Sequence, residues 1–328
     1  MQKKRILSGI APSGNLHIGN YLGALKQWVD LQKDYTVFAM VADLHAITVP
    51  QDPKTLQEKS LEVACLMIAC GIDPKKSVIF LQSAVPAHLE LYWILNTLTP
   101  VGELERMIQF KEKKEKSGVL AGLLNYPILM VSDILLYQSD LVPVGEDQLQ
   151  HLELTRTLAR KFNNRFGNTF KEPKPLVLKE TARIMGLDDP TKKMSKSAVN
   201  PNNYIFLLDS PETIERKVKI AVTDSGKEVK YNETAKPAIS NLMAIYSAIS
   251  GLSLPTIEKE FSGKNYGNFK HALAKLLIET LNPIQKKYYR LIRNKTSLRK
   301  ILAAGSKKAS TLAQKNLHII KEKMGFVL

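Results

Sequence analysis

The sequence predicts an α/β protein in which a parallel sheet with covering helices is followed by an all-helical second domain. Short apolar runs alternate with segments of helical periodicity as far as about residue 185. Beyond that point Pro190, Pro201 and Pro211 interrupt a polar stretch, and apolar residues then recur at helical spacing. The chain has 328 residues, which is enough for about two domains.

Four short apolar runs predict buried strands, because strands covered on both faces lack polar alternation. They cover residues 5–9, 36–42, 77–81 and 140–144. Helices are expected between the first three runs, over residues 21–33 and 55–70. This alternation of strand and helix predicts a parallel sheet with right-handed crossovers.

The connection between the third and fourth predicted strands, residues 83–133, is too long for one crossover helix. We expect it to contain at least two helices, one of them over residues 103–116. A further helix is predicted over residues 146–166, because its apolar residues line one face and Gly167 follows.

These patterns divide the chain into four predicted units. Residues 1–185 form the α/β domain, 186–200 a mobile loop, and 201–285 a helical domain with amphipathic faces. Residues 286–328 form a basic C-terminal segment. Within it, residues 298–324 are predicted to be a helix pair or one interrupted helix.

The charge balance is strongly basic. Lys and Arg number 47 against 31 Asp and Glu, which gives a formal net charge of +16. Such an excess fits a polyanionic partner, nucleic acid before membrane, although solvated lysine-rich faces explain it equally well.

Membrane insertion and secretion are not expected. No apolar stretch approaches the roughly 18 residues that span a bilayer, and the basic start of the chain is not followed by a long apolar segment. Cys65 and Cys70 lie in an apolar helical run and are expected to pack in the core. We therefore expect a cytoplasmic protein in a reducing environment.

The first predicted strand runs directly into a loop rich in glycine and proline, residues 9–20. In an open parallel sheet, ligands bind beyond the carboxyl ends of the strands, where a loop meets a helix N-terminus. Gly9, Gly14 and Gly19 let the backbone approach a nucleotide closely. The imidazole of His17 suits a phosphate oxygen. The loop matches neither the dinucleotide fingerprint nor the Walker A motif, and alone it is more often an ordinary turn.

A second signature, Lys-Lys-Met-Ser-Lys-Ser, occupies residues 192–197. Lys193 and Lys196, three positions apart among small hydroxyl residues, suit a flexible cationic clamp on a triphosphate. Taken alone, such a loop is most often solvated surface.

Together the two signatures resemble those of the class I aminoacyl-tRNA synthetases, which pair His-Ile-Gly-His with Lys-Met-Ser-Lys-Ser. The second is matched fully at residues 193–197, and the first departs at Asn20, a change that the tryptophan branch shares. Further strings are similar to bacterial tryptophanyl-tRNA synthetases in the same order. They lie at residues 102–107, 109–113, 126–130, 133–137, 142–148, 151–156, 189–193, 221–225 and 236–242.

The resemblance implies a Rossmann-like domain that makes an adenylate from ATP and an amino acid. The attacking carboxylate is already ionised, so catalysis rests on alignment and charge stabilisation. The implied catalytic residues are His17, Lys193, Lys196 and Lys113. The implied ATP-binding residues are Ala11, Pro12, Ser13, Gly14, Gly19, Asn20, Gly145, Glu146, Asp147, Ile184, Lys193, Met194, Ser195, Lys196 and Ser197. Without the resemblance, Glu146 and Asp147 are equally well explained as charges favouring a helix dipole.

The resemblance also implies an amino-acid site around Asp133. This acid interrupts an apolar, helical run, where an unpaired carboxylate is costly to bury. On its own it also fits an Asp turned to solvent or capping a helix. By resemblance it accepts the indole N–H, the one polar group of the tryptophan ring. The other implied tryptophan-binding residues are Leu7, His45, Tyr126, Met130, Ile134, Val142, Val144 and Gln148.

Two positions depart from the family pattern. Leu7 stands where an aromatic residue often lines the amino-acid pocket, and Ala11 where a glutamine often precedes Pro-Ser-Gly. Both departures bear on affinity, and neither bears on the type of reaction.

The family also implies partners. These are tRNA(Trp), bound by the helical domain and the basic surface, Mg²⁺ carried with the ATP phosphates, and a second copy of the chain. The homodimer interface is expected to include the region after the third strand.

Three alternatives remain open. A tyrosyl-tRNA synthetase would need phenol-hydroxyl recognition, and a small-molecule nucleotidyltransferase would lack the long helical half. A non-catalytic RNA-binding paralogue would have lost signature residues.

Overall fold

A single parallel sheet organises the first half of the chain. The computed structural model describes residues 3–107, 120–145, 148–177, 184–195, 198 and 200–328. Within these ranges the sheet has five strands in the order β3-β2-β1-β4-β5. They are β1 (Arg5–Ile10), β2 (Thr36–Val41), β3 (Val78–Leu81), β4 (Leu141–Val144) and β5 (Lys174–Val177). The predicted parallel sheet is confirmed, with β1 to β4 at the predicted positions.

Strand β5 is absent from the sequence prediction. Its sequence, Lys-Pro-Leu-Val, has a charged residue and a proline where an apolar run would be expected. The strand pairs with β4 at the outer edge of the sheet, with Val142 opposite Pro175. A proline is tolerated there because an edge strand leaves part of its backbone without a ladder partner.

The helices between the first three strands lie near their predicted positions but are divided into shorter pieces. Where the sequence predicts one helix over residues 21–33, the chain forms three successive helical pieces. They are α1 (Ile18–Asn20), a π-helical stretch (Tyr21–Leu25) and α2 (Lys26–Leu31). After β2 follow the short α3 (Asp43–Ala46) and the long α4 (Pro53–Ala69). Asp52 begins α4 by accepting the N–H of Thr55 at 2.8 Å.

The long crossover from β3 to β4 contains several helices, as predicted. They are α5 (Ala87–Asn96), α6 (Val101–Glu105) and α7 (Ala121–Leu136). Most of the helix predicted over residues 103–116 lies outside the described residues. Helix α8 (Leu149–Phe166) follows β4 and ends at Gly167, whose φ of 88° is one that glycine adopts readily.

Beyond residue 210 the described residues are mainly helical. They form α9 (Pro211–Ile220), α10 (Pro237–Ser250), α11 (Leu254–Glu260), α12 (Tyr266–Arg293) and α13 (Lys295–Met324). Helix α12 runs through residue 285, where the sequence places a boundary, and the division into domains stays a prediction. The expectation of a helix pair or an interrupted helix at the C-terminus is wrong, because α13 is one helix of 30 residues.

Two hydrophobic clusters cover the two faces of the sheet. Successive residues of β2 alternate between them, with Val37 in the first cluster and Phe38 in the second. The first cluster joins the sheet to α4, α10 and α12, and the second joins it to α5, α7 and α8. Helix α13 contributes Leu302 to the first cluster and Ala313 to the second. The two halves of the chain therefore share a continuous core.

Helix α13 also covers the edge strand β3. Gly305 lies so close to this strand that an added β-carbon would stand 1.9 Å from the carbonyl oxygen of Ile79. Covering an edge in this way removes a template for unwanted strand pairing.

Two further expectations concern cysteines and membrane spans. Cys65 is buried in the first cluster as expected, whereas Cys70 is half-buried, and both are free thiols. In the described ranges no single helix is both long and apolar enough to cross a membrane. One pair, α10 with α11, meets the length and composition criterion jointly but is bent by 105°.

Candidate active site

A cavity of about 310 Å³ opens at the carboxyl ends of β1 and β4. From β1 the chain proceeds outward to β2 and β3 on one side, and later to β4 and β5 on the other. The cavity therefore lies at the point where the strand order reverses, which is where open α/β sheets bind ligands. Its lining consists of Ser8, Gly9, Ile10, Ala11, Leu16, Asn20, Gly23, Ala24, Trp28, Pro143, Val144 and Gly145.

The first signature forms the turn beside this cavity. His17 caps α1, and its Nδ1 accepts the N–H of Gly19 at 3.1 Å, while Oδ1 of Asn20 accepts the N–H of His17 at 3.1 Å. Because Nδ1 accepts this bond, the proton of a neutral His17 ring lies on Nε2, as a donor to an anion requires. A β-carbon on Gly19 would stand 3.0 Å from the ring, so glycine makes this arrangement possible.

The signature turn is held from outside by a short antiparallel pairing. Ile18 donates to the carbonyl of Ile205, and Leu207 donates to the carbonyl of Leu16, both at 2.9 Å. Lys217 stabilises the same segment, because its buried Nζ donates to the carbonyl of Tyr204 at 2.9 Å. Residues 205–207 thus connect the first signature to the chain that follows the second.

The second signature is carried by a hairpin whose strands meet at Met185 and Lys193. Met194 donates to the carbonyl of Ile184 at 3.0 Å, and Gly186 donates to that of Lys192 at 2.8 Å. Ile184 in turn lies 3.9 Å from the position that a β-carbon on Gly19 would take. The hairpin therefore lies against the first signature.

Two buried asparagines fix the base of this hairpin. Asn203 accepts the N–H of Ser195 at 3.2 Å, and its main-chain carbonyl accepts the N–H of Leu187 at 2.9 Å. Asn241, on α10, accepts the N–H of Met185 at 2.8 Å and donates to its carbonyl at 3.0 Å. Both side chains are about 95% buried. The hairpin is thus anchored to the helical half of the chain.

The predicted catalytic and ATP-binding residues that the structure describes fall into three groups. Ala11, Asn20 and Gly145 line the cavity, and Pro12, Ser13, Gly14, His17 and Gly19 form the adjoining turn. Ile184, Lys193, Met194 and Ser195 lie on the hairpin, with Lys193 exposed. Lys113, Glu146, Asp147, Lys196 and Ser197 lie outside the described residues, and their roles stay predictions.

Asp133 lies on α7, fully buried, with its carboxylate surrounded by nitrogen atoms. His45 Nε2 lies 2.8 Å from Oδ2, and His88 Nδ1 lies 2.6 Å from Oδ1. Gln82 Nε2 donates to both oxygens, at 2.8 and 3.0 Å. Burial alone raises the pKa of Asp133, but hydrogen bonds and electrostatic interactions with His45 and His88 outweigh burial and lower the pKa below its usual value. The site therefore holds a paired, ionised carboxylate.

His45 is the partner of Asp133 that faces open space. Its side chain is 17% exposed, whereas that of His88 is fully enclosed. The ring of His45 also lies edge-on to Tyr126, with 6.3 Å between the ring centroids. Three of the predicted tryptophan-binding residues, Asp133, His45 and Tyr126, are thus brought together.

The apolar members of the predicted tryptophan set lie in the second hydrophobic cluster. Val144 also lines the cavity, which places the two predicted sites side by side. Tyr126 bonds to Nε2 of His151 at 3.1 Å through its hydroxyl. Leu7, Ile134, Val142 and Val144 are buried, Tyr126 and Met130 pack against the cluster, and Gln148 is half-buried.

Sequence reasoning missed several residues that the structure places at the site. Gln82, His88 and Tyr137 surround Asp133 or its partners, and Asn203 and Asn241 fix the hairpin. Gln82 follows β3 directly, and a polar side chain after a strand of a parallel sheet is a usable signal. His88 and Asn241 lack this signal because each lies within a helix, although Asn241 belongs to the 236–242 string that is similar to the family.

Comparisons with family models, with known sequences and with solved structures agree with one another. The family model "tRNA synthetases class I (W and Y)" matches residues 1–282. A tryptophan–tRNA ligase of Caldanaerobacter subterraneus subsp. tengcongensis is 53% identical over 326 residues, covering 99% of each chain.

Two solved structures have the same architecture. A tryptophanyl-tRNA synthetase of Mycoplasma pneumoniae superimposes with a TM-score of 0.92 at 37% identity, over 99% of both chains. That of Campylobacter jejuni, complexed with ADP and tryptophan, gives a TM-score of 0.85 at 39% identity, over 98% of this chain and 100% of the other.

Proposed function

The chain belongs to the class I tRNA synthetases for tryptophan and tyrosine, and from that premise we propose which of its residues perform the reaction. The enzyme activates L-tryptophan with ATP and transfers it to tRNA(Trp). The assignment of residues rests on one observation: the hairpin that carries the second signature lies against the first signature beside the cavity, and Val144 of that cavity belongs to the same hydrophobic cluster as the predicted tryptophan site.

The reaction has two steps. An oxygen of the tryptophan carboxylate bonds to the α-phosphorus of ATP, and the bond from that phosphorus to the bridging oxygen breaks, releasing pyrophosphate. A ribose hydroxyl at the 3′ end of tRNA then attacks the tryptophan carbonyl, and AMP leaves. Neither attack on phosphorus nor release of pyrophosphate needs a general base, so positioning and charge stabilisation dominate.

ATP is proposed to occupy the cavity at β1 and β4. The donor face of His17 and the N-terminus of α1 would meet its phosphates, and Asn20 and Gly145 would lie along the nucleotide. Lys193 and Lys196 would stabilise the departing pyrophosphate, with Lys113 assisting.

Magnesium belongs to this proposal as a companion of the triphosphate. We propose that the phosphate oxygens of ATP hold the cation, because Mg²⁺ is usually bound by substrate phosphates together with one or two carboxylates.

Tryptophan is proposed to lie against the second hydrophobic cluster. Asp133 would accept the indole N–H, with Val142, Val144 and Met130 as apolar walls and Tyr126 and Gln148 near the amino group. Among the described residues, three side chains make four contacts with the carboxylate oxygens, which is close to what a carboxylate accepts. Indole binding would therefore replace the bond from His45, the exposed partner.

A homodimer is the proposed assembly. The crossover between β3 and β4 carries large apolar side chains exposed to solvent, with Trp93 64%, Leu89 48% and Val101 60% exposed. Leu89 and Trp93 are four residues apart and so share one face of α5. Sedimentation equilibrium should give a dimer mass for the wild type and a monomer mass for Trp93→Arg. An unchanged dimer in the variant would place the interface elsewhere.

The proposed tRNA surface is the basic helical half, and the proposed location is the cytoplasm. Both rest on the charge of +16 and on two free thiols that suit a reducing compartment.

One experiment tests the substrate most directly. ATP–pyrophosphate exchange should be measured with each of the twenty amino acids. Tryptophan alone is expected to support exchange. Exchange with tyrosine would favour the tyrosyl alternative, and no exchange with any amino acid would favour a nucleotidyltransferase or a non-catalytic paralogue.

A further inference from the structure

We propose that His88 is a positioning residue for tryptophan recognition: it fixes the carboxylate of Asp133 from behind, without touching the substrate. The proposal rests on the proposed role of Asp133 as the acceptor of the indole N–H. His88 lies on α5 and Asp133 on α7, two helices that pack side by side. Both residues are buried, and the exposed fraction of the His88 side chain is 0%.

Three bonds fix His88 in one position. Its Nδ1 lies 2.6 Å from Oδ1 of Asp133, and its Nε2 lies 2.8 Å from the hydroxyl of Tyr137. Ser132, the residue before Asp133, donates to the main-chain carbonyl of His88 at 2.7 Å. The ring also stacks on Phe80 at 6.1 Å between centroids. Neither ring nitrogen is left without a partner.

The tautomer of His88 follows from these partners. The carboxylate of Asp133 is ionised and can only accept, so Nδ1 of His88 must carry a proton and donate it. In the neutral ring Nε2 then has no proton and must accept one from a donor. Tyr137 supplies it, because burial raises the pKa of its hydroxyl and keeps the proton in place. With His88 neutral, the hydrogen bonds therefore run in one direction, from Tyr137 to His88 and from His88 to Asp133.

The partners of Asp133 hold its carboxylate from two different sides. His88 and Gln82 hold the carboxylate from the enclosed side, whereas His45 approaches from the exposed side. When indole replaces His45, Asp133 keeps two buried partners and its orientation. Without His88 the carboxylate would lose its shortest bond and one of the contacts that lower its pKa. The carboxylate would then be less firmly oriented and more easily protonated.

The test compares His88→Leu, which removes the donor, with His88→Asn, whose amide nitrogen can take the place of Nδ1. Each is assayed with tryptophan and with 3-benzothienylalanine, in which sulfur replaces the ring N–H. We expect His88→Leu to raise KM for tryptophan by about 10- to 100-fold, as for losing a hydrogen bond to a charged group. The analogue should be affected much less, KM for ATP should be unchanged, and His88→Asn should recover most of the tryptophan preference.

Tyr137→Phe provides a second, gentler variant in case His88→Leu folds poorly. It leaves Nδ1 in place but removes the donor to Nε2, so it should shift the same preference in the same direction by a smaller factor. Active-site titration by the burst of adenylate corrects each rate for the fraction of folded enzyme. The proposal would be overturned if the variants only contained less folded enzyme and all of them kept the wild-type preference for tryptophan over the analogue.

Asp133→Ala, which removes the acceptor altogether, separates this proposal from the one on which it rests. If Asp133→Ala keeps the preference for tryptophan over the analogue, the proposed role of Asp133 fails. If Asp133→Ala abolishes the preference but His88→Leu and Tyr137→Phe keep it, the positioning role alone fails. When both roles hold, His88→Leu should cause no further loss of preference in the Asp133→Ala background.

Discussion

The side-chain amide of Asn241 bonds both main-chain groups of Met185, accepting its N–H at 2.8 Å and donating to its carbonyl at 3.0 Å. Asn241 lies on α10 in the helical half, and Met185 pairs with Lys193 in the signature hairpin. The buried side chain of Asn241 therefore connects the helical half of the chain to the hairpin that positions Lys193, which is proposed to stabilise the departing pyrophosphate.

Asn241→Asp should reduce catalysis through that connection. A carboxylate can accept the N–H of Met185, but its other oxygen would face the Met185 carbonyl, so the hairpin base should shift. We expect kcat for pyrophosphate exchange to fall by about 10-fold or more, with KM for tryptophan little changed. Lys193→Ala should cost less in the Asn241→Asp background than in the wild type.

Asn163→Asp is the matched control for Asn241→Asp. Asn163 also bonds main-chain groups with both ends of its amide, donating to Phe170 and accepting from Thr169. It lies at the end of α8, away from the hairpin. Equal losses of kcat in both variants, or full additivity with Lys193→Ala, would contradict a connection specific to Asn241.

Gly19→Ala should displace the ring of His17. The new methyl group would stand 3.0 Å from Cε1 and Nδ1, which is tighter than ordinary contact. If the ring moves, the proposed hydrogen bond from His17 to a phosphate is lost, so kcat/KM for ATP should fall roughly 10-fold or more, as for losing a hydrogen bond to a charged group. KM for tryptophan should change little. Gly102→Ala, where a β-carbon meets nothing within 4 Å, is the control. Steady-state kinetics with each substrate varied would decide, and an unchanged kcat/KM for ATP would refute a role for the ring position.

Asp133→Ala should remove the distinction between tryptophan and phenylalanine. The variant loses the acceptor for the indole N–H. The fall in kcat/KM for tryptophan should correspond to a loss of roughly 2–4 kcal/mol in transition-state stabilisation. Phenylalanine has no ring N–H and should be affected far less. The two values of kcat/KM, measured by pyrophosphate exchange, give the preference directly. Equal losses for both amino acids would mean that Asp133 supports the fold or the ATP site and does not read the indole.

The net charge of +16 predicts a difference between the two reaction steps. If phosphate contacts dominate tRNA binding, aminoacylation should weaken steeply as salt is raised, because binding releases counterions. Tryptophan activation should change much less. Both reactions should be followed across one salt series. If aminoacylation and tryptophan activation decline in parallel, salt acts on the fold or on ATP binding and not on the tRNA interface.

Gly305→Ala should destabilise the protein without touching the proposed chemistry. A β-carbon there would stand 1.9 Å from the carbonyl oxygen of Ile79, so α13 must move away from β3. We expect a loss of about 1–3 kcal/mol in the free energy of unfolding, measured by urea denaturation. Gly122→Ala in α7 meets nothing within 4 Å and should be neutral or slightly stabilising. If both variants unfold at the same urea midpoint, α13 accommodates the methyl group without cost.

Much of the fold follows from local patterns. The runs that become β1 to β4 are apolar and short, and the helices between them have one-sided periodicity, so the parallel sheet is predictable. Strand β5 is not, because its sequence has a lysine and a proline, and its pairing depends on β4 at the sheet edge. The continuous α13 was also missed, since nothing in a basic helical pattern reveals the strand against which it packs.

The sequence by itself determined the kind of reaction through its resemblance to a family, because the paired signatures at residues 9–20 and 192–197 are local strings that can be matched without a structure. It also marked Asp133 as unusual, since an acid in an apolar helix is costly unless paired. Only the tertiary structure decided how that cost is met, by His45, His88 and Gln82 brought from three other segments of the chain. The physical reason is that local periodicity sets which face of a helix is buried, whereas the partner of a buried charge is set by packing between elements distant in sequence.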